Sequence, residues 1–209
     1  MVGVHSVVSL REPWWLPILR SVAIPRTSGE VDALVLARAR NGDQDAFTTV
    51  VGHYDHRLRA LAFRLLGDRD RMDDVLQEVY VKAFRSLGGF KGASALGTWL
   101  YRITYNACLD DLRKRPGLAP VSLDDHERSG PIADPRTGPD EIAVGRLDLA
   151  AALERLPSDQ RAAVMLVDAY GLDYTDAAEV LGVRAGTIGS RLSRARAALR
   201  ITLGVEGAA

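Results

Sequence analysis

Residues 183–200, VRAGTIGSRLSRARAALR, carry five arginines and no acid. A guanidinium can grip phosphate or pair bidentately with guanine, whereas a merely solvated helix ordinarily interleaves glutamate with its arginines. On a helix starting near residue 186, Ile188, Leu192, Ala195, Leu199 and Leu203 share one apolar seam. The outward face is then Gly189, Ser190, Ser193, Arg194, Ala197 and Arg200, and its small residues permit close approach to a groove floor. Arg184, Arg191 and Arg196 fall at the edges, suited to phosphate contact rather than base reading.

A second stripe lies in TWLYRITYNACLDDLRKR, expected to be a helix capped by Thr98. At 100° per residue, Trp99, Arg102, Asn106, Asp110 and Arg113 align, beside an apolar stripe of Leu100, Ile103 and Ala107. An aromatic, two arginines and an amide in register can hold single-stranded nucleic acid by stacking, charge and base-edge hydrogen bonding. On pattern alone the same residues are better described as a helix salt-bridged to a neighbour with Trp99 in the core, with the single-strand reading as the alternative. A third face belongs to a helix over about 69–87, whose apolar side holds Met72, Val75, Leu76, Val79, Tyr80, Ala83 and Leu87. Its opposite side mixes Asp74, Gln77, Glu78, Val81, Phe84 and Arg85, the polar-rimmed apolar composition of a protein interface.

These stripes need helices to carry them, and composition supplies them. Of 209 residues 47% are apolar and only 6% aromatic, with many Ala, Leu and Arg, so the fold class expected is all-α. Three prolines lie before residue 26, five between 116 and 139, and one at 157, so 30–115 and 158–209 are free of them. Interior proline costs about 3 kcal/mol in a helix, which predicts two small helical domains, 30–115 and 140–203, joined by a flexible Pro/Gly-rich linker over 116–139. Residues 1–29 lack a basic start, and Arg11, Glu12, Pro13 and Pro17 interrupt their apolar run. They read as a disordered N-terminal extension of a cytoplasmic protein rather than a signal peptide or membrane span.

The net charge is zero, so attraction to nucleic acid has to come from local segregation. Residues 140–179 hold nine acids against three arginines, immediately before the arginine-rich run. Within the second block, LPSDQRAAVMLVDAYG reads as a helix capped by Ser158 and stopped at Gly171. Ala178, Gly182 and Ile188 then meet the steric needs of a helix-turn-helix over 174–193: a small crossing residue, a turn glycine and an apolar lock. One cysteine, Cys108, excludes an intramolecular disulfide, and His53 and His56 without other ligands make no metal site. The residues contain no catalytic constellation, no phosphate-binding glycine loop and no cofactor motif, so neither enzymatic activity nor a small-molecule substrate is expected.

The strings DDVLQEVYVKAF, TWLYRITYNACLDDLRKR, LPSDQRAAVMLVDAYGLDYTDAAEVLGV and GTIGSRLSRARAAL, in this order, resemble regions 2 and 4 of the extracytoplasmic-function sigma factors. These are the small two-domain class of bacterial RNA polymerase specificity subunits. The resemblance spans about 45–115 and 147–203. It implies that Asp74, Gln77, Glu78 and Val81 meet the β′ clamp helices of the polymerase core, with the β flap as a further contact. It also implies that the 88–97 loop with Phe90, Trp99, Arg102, Asn106 and Arg113 captures the opened −10 element of promoter DNA. Arg184, Thr187, Ser190, Arg191, Ser193 and Arg194 would bind the −35 element, and an anti-sigma protein would be a further partner. Gly189 departs from the family, which usually has Lys or Arg there. From the residues alone, a stand-alone helix-turn-helix regulator and a polymerase-binding adaptor that does not read DNA remain rivals.

Overall fold

The computed structural model describes residues 31–114 and 141–203, together with Leu16 and Leu19. The described residues form helices and no strand. The first group is α1 (Ala33–Arg40), α2 (Gln44–Leu66), α3 (Arg69–Leu87) and α4 (Leu96–Lys114); the second is α5 (Glu141–Glu154), α6 (Ser158–Val164), α7 (Tyr174–Leu181) and α8 (Ala185–Thr202). Two helical groups and a helix-turn-helix are the architecture that proline placement and periodicity predict. The 116–139 linker lies outside the described residues.

Aspartates start four of these helices, because a carboxylate at the N-cap accepts from backbone N–H groups that have no intrahelical partner. Asp32 accepts from Leu34 and Val35, Asp43 from Ala46, Asp68 from Arg71, and Asp173 from Asp176. Two expected caps are displaced. α4 begins at Leu96, two residues before Thr98, which is buried inside the helix and caps nothing. α6 has Pro157 at its N-cap, so Ser158 is the first helical residue. Gly182 ends α7 at φ 64°, a left-handed conformation that costs glycine little and makes the tight turn into α8 possible.

The periodic faces bury as their spacing requires. Leu58, Leu61, Leu76, Val79, Leu87 and Leu100 pack in the first group, and Leu149, Leu153, Leu166, Ile188, Leu192 and Leu199 in the second; all are nearly inaccessible. Leu203, assigned to the same seam, falls just past the end of α8 and is only half-buried. Leu16 and Leu19, from the stretch read as a disordered extension, are also buried in the core cluster, so at least these two side chains are committed to packing. Cys108 is fully buried, and burial pushes its thiol up to about 12.

Arg71 breaks the apolar side of α3. It is buried, and its Nε donates to Asp111 of α4 at 3.0 Å, with a second Asp111 bond from the same guanidinium. α6 passes into a single π turn, Met165–Ala169, in which Tyr170 N–H reaches back to the carbonyl of Met165. That turn carries Asp168, buried and paired with Arg196 of α8 through a 3.1 Å bond from Nε. The two groups touch: α4 packs on α7, and α2 on α6.

Removing one partner of a buried pair strands the other charge. Asp111→Ala is expected to lower unfolding free energy by about 3 kcal/mol in urea titration, with the double variant Arg71→Met/Asp111→Leu recovering most of the loss.

Candidate nucleic-acid interface

α8 presents its two faces as predicted. Ile188, Leu192, Ala195 and Leu199 are buried, while Ser190, Ser193, Arg194 and Arg200 are exposed. Tertiary pairing sorts the arginines, which sequence could not do. Arg191 is largely covered, its Nε 2.9 Å from Asp159 of α6, and Arg196 is held by Asp168. The hydrogen bond to Asp168 holds the Arg196 guanidinium above its usual pKa. Neither is a free cation for phosphate in this structure. Arg184, Arg194 and Arg200 are exposed, with no ion pair to any described residue. Thr187 is half-buried, and its carbonyl accepts from the Ser190 hydroxyl at 2.9 Å.

Gly189 sits under an aromatic ring. A Cβ built on it would lie 3.7 Å from Cε2 of Tyr174, an ordinary van der Waals contact, and Tyr174 is itself 44% exposed at the start of α7. Glycine here leaves space that a side chain could fill without displacing anything.

The stripe on α4 is divided. Asn106 and Arg113 are exposed, and Arg113 pairs locally with Asp110 at 3.3 Å. Trp99 is 8% exposed and packs on the half-buried Phe90, ring centroids 5.3 Å apart. Arg102 Nη1 lies 2.7 Å from Oε1 of Glu179 on α7. The reading of α4 as a helix salt-bridged to a neighbour with Trp99 in the core therefore describes this conformation. Of the stripe, Arg102 is the residue that α7 engages, through Glu179.

On α3, Asp74, Gln77, Glu78 and Val81 are all exposed on one side. Beside them an apolar groove runs between α2 and α3, lined by Phe47, Thr48, Tyr80, Val81 and Phe84, with Phe47 and Phe84 edge to face at 5.0 Å. Tyr80 donates to Asp55, and Arg59 joins the network to Asp55 at 3.1 Å and to Asp73 at 2.5 Å. Burial pushes the Tyr80 phenol upward, reinforced by its bond to Asp55. Periodicity put Tyr80 on the apolar side of its helix; it and Phe47 are half-buried at the groove edge. Among the described residues no group of three or more His, Cys, Asp or Glu could hold a metal ion, and no helix is long and apolar enough to cross a membrane.

Two family models match the chain: "Sigma-70 region 2" over residues 50–116 and "Sigma-70, region 4" over 146–199. The ECF RNA polymerase sigma factor SigM of Mycobacterium tuberculosis is 40% identical over 173 residues, covering 83% of this chain and 85% of the relative. The RNA polymerase sigma-H factor of Pseudomonas aeruginosa is 36% identical, covering 81% of this chain and 92% of that one. Among solved structures, the sigma factor RpoE in complex with the anti-sigma factor NepR from Bartonella quintana has a TM-score of 0.63 at 33% identity, covering 77% and 98% of the two chains. CnrH in complex with the cytosolic domain of CnrY has a TM-score of 0.61 at 25% identity, covering 85% and 100%.

Because the Cβ position at Gly189 is open and a helical glycine costs about 1 kcal/mol relative to alanine, Gly189→Ala is expected to raise stability by about that amount. Thermal unfolding checks it, and a drop in Tm would mean that the Tyr174 ring does not tolerate the methyl.

Proposed function

Because the chain belongs to the extracytoplasmic-function sigma factors of the sigma-70 family, RNA polymerase subunits that direct promoter-specific transcription initiation, we propose a division of that work among its three surfaces. The 30–115 block binds the polymerase core and the −10 element, and 140–203 binds the −35 element. Asp74, Gln77, Glu78 and Val81 on α3 dock against the β′ clamp helices, with the neighbouring groove around Phe47 and Phe84 receiving an apolar side chain. The β flap is the contact for the C-terminal group.

α8 enters the major groove of the −35 element. The observation that carries this assignment is the sorting of its arginines: Asp159 and Asp168 consume Arg191 and Arg196, leaving Arg194 exposed beside Ser190 and Ser193. A single unpaired guanidinium among small residues is suited to bidentate reading of a guanine, with Arg184 at the helix start on phosphate. The 88–97 loop and the α4 stripe of Phe90, Trp99, Arg102, Asn106 and Arg113 hold a flipped −10 base. Extrusion costs a few kcal/mol, which stacking and charge must offset.

The work is recognition without covalent chemistry, needs no cofactor or small-molecule substrate, and takes place in the cytoplasm with the polymerase. RpoE is in complex with the anti-sigma factor NepR, and CnrH with the cytosolic domain of CnrY, in structures similar to this one; an anti-sigma protein is the proposed regulator here. The rival of a stand-alone regulator gives the exposed α3 face no task. The rival of a non-reading adaptor gives the free Arg194 none.

Two measurements test the assignments. The double variant Asp74→Ala/Gln77→Ala is expected to weaken core polymerase binding while leaving binding to a −35 duplex unchanged; loss of both would signal misfolding, and loss of neither would remove the α3 face from the core interface. Arg194→Ala is expected to weaken −35 duplex binding by about 1 to 3 kcal/mol and relax sequence preference at one position. An unchanged promoter profile would deny Arg194 a base-reading role.

A further inference from the structure

We propose that Tyr174 and Gly189 together form an apolar notch on the outward side of the helix-turn-helix that receives the methyl group of one thymine in the −35 element. The inference rests on the reading of α8 as the −35 helix and adds to it a second point of base recognition, apolar where Arg194 is charged. Its own basis is an exposed aromatic ring. Among the described residues, the large hydrophobic side chains left exposed are Leu34, Val81, Tyr174 and Ile201, and Tyr174 alone of them is aromatic. It lies beside the bare backbone of α8: a Cβ built on Gly189 meets Cε2 of Tyr174 at 3.7 Å and, outside its own helix, nothing else within 4 Å. Asp173 caps α7 immediately before Tyr174, accepting from Asp176 at 2.8 Å, and Gly182 turns the chain into α8 at φ 64°, so both ends of α7 fix the ring over that glycine. The polar end of the ring is engaged as well. Asp168 is the main reason that the Arg196 guanidinium sits above its usual pKa, and the Tyr174 phenol adds to it by charge and hydrogen bonding.

A recognition helix meets base edges mainly with its N-terminal residues, and Gly189 is the fifth residue of α8. With no side chain there, a base edge can approach the backbone itself, and a group entering along the direction that a Cβ would take has the Tyr174 ring beside it. Neither wall offers a free side-chain donor or acceptor. The phenol is engaged with Arg196, and the adjacent Ser190 hydroxyl donates to the carbonyl of Thr187 at 2.9 Å. Of the groups that the four bases expose in the major groove, the C5 methyl of thymine is the one that loses nothing by entering such a surface. An exocyclic amine or carbonyl would give up water there without a replacement. Arg196 and Asp168 hold the ring in place and are positioning residues; Tyr174 and Gly189 make the contact.

The test uses holoenzyme assembled from core polymerase and the full chain. Promoter duplexes with a randomised −35 box are selected for binding, and each thymine of the selected box, on either strand, is then replaced singly by uracil, which removes the methyl and nothing else. Uracil at one position should weaken binding roughly three- to fivefold, the effect of burying one methyl group. Gly189→Gln, which fills the notch with a polar chain, and Tyr174→Ala, which removes its wall, should each bring thymine and uracil to parity there, while Tyr174→Phe keeps the difference. The base preference that Arg194→Ala relaxes should be unchanged in Gly189→Gln, which reports an intact α8. A selected box without thymine, or one with clear base preference in which uracil binds as well as thymine at every position, would overturn the notch and leave the −35 reading standing. A sensitivity to uracil that survives both Gly189→Gln and Tyr174→Ala, or one that Tyr174→Phe abolishes, would overturn it as well. No base preference anywhere in the box would overturn the −35 reading of α8 itself, and the notch with it.

Discussion

A guanidinium taken out of water has to find acceptors, and how this chain meets that demand determines how its helices sit. Arg71 ties α3 to α4 through Asp111, Arg196 ties α8 to the π turn through Asp168, and Arg161 ties α6 to α2 through a backbone carbonyl. Burial lowers the Arg161 guanidinium to about 10. Each pair adds direction to apolar contacts that have none of their own. The consequence for function is subtractive: once structure has claimed its arginines, the ones left over mark the surfaces that can meet a phosphate or a base.

The excess positive charge of 183–200 is thus not one patch. The acidic stretch before it supplies Asp159 and Asp168, which reach forward in space to neutralise two of the five arginines. What remains exposed is the proposed reading surface around Arg194, flanked by Arg184 and Arg200. Gly189 lies at the edge of that surface, beneath Tyr174, with room for a side chain.

Contact between the two helical groups gives the fold a second property. A sigma factor must present separate surfaces to a polymerase and to two promoter elements, yet a small chain gains stability by folding those surfaces onto one another. The stack of Tyr101 on Tyr170 and the pairing of Arg102 with Glu179 are contacts of that second kind. The outward face of α8, proposed to meet the −35 element, stays exposed beside them.

Helical class, the spacing of the apolar seams, the turn at Gly182 and the outward faces of α3 and α8 were legible in the sequence, because each depends on residues within a few turns of one another. The expected caps at Thr98 and Ser158 misled because the residues before them extended the helices by three positions and one. Arg191, Arg196 and Arg102 could not be assigned that way, since their partners lie 32, 28 and 77 residues off and nothing in local periodicity encodes such a distance. Nor could the burial of Trp99, which packs on Phe90. Sequence determined which helices form and which faces they offer. Tertiary structure alone decided which of those faces stay open, because occupancy depends on the neighbour that folds against each one.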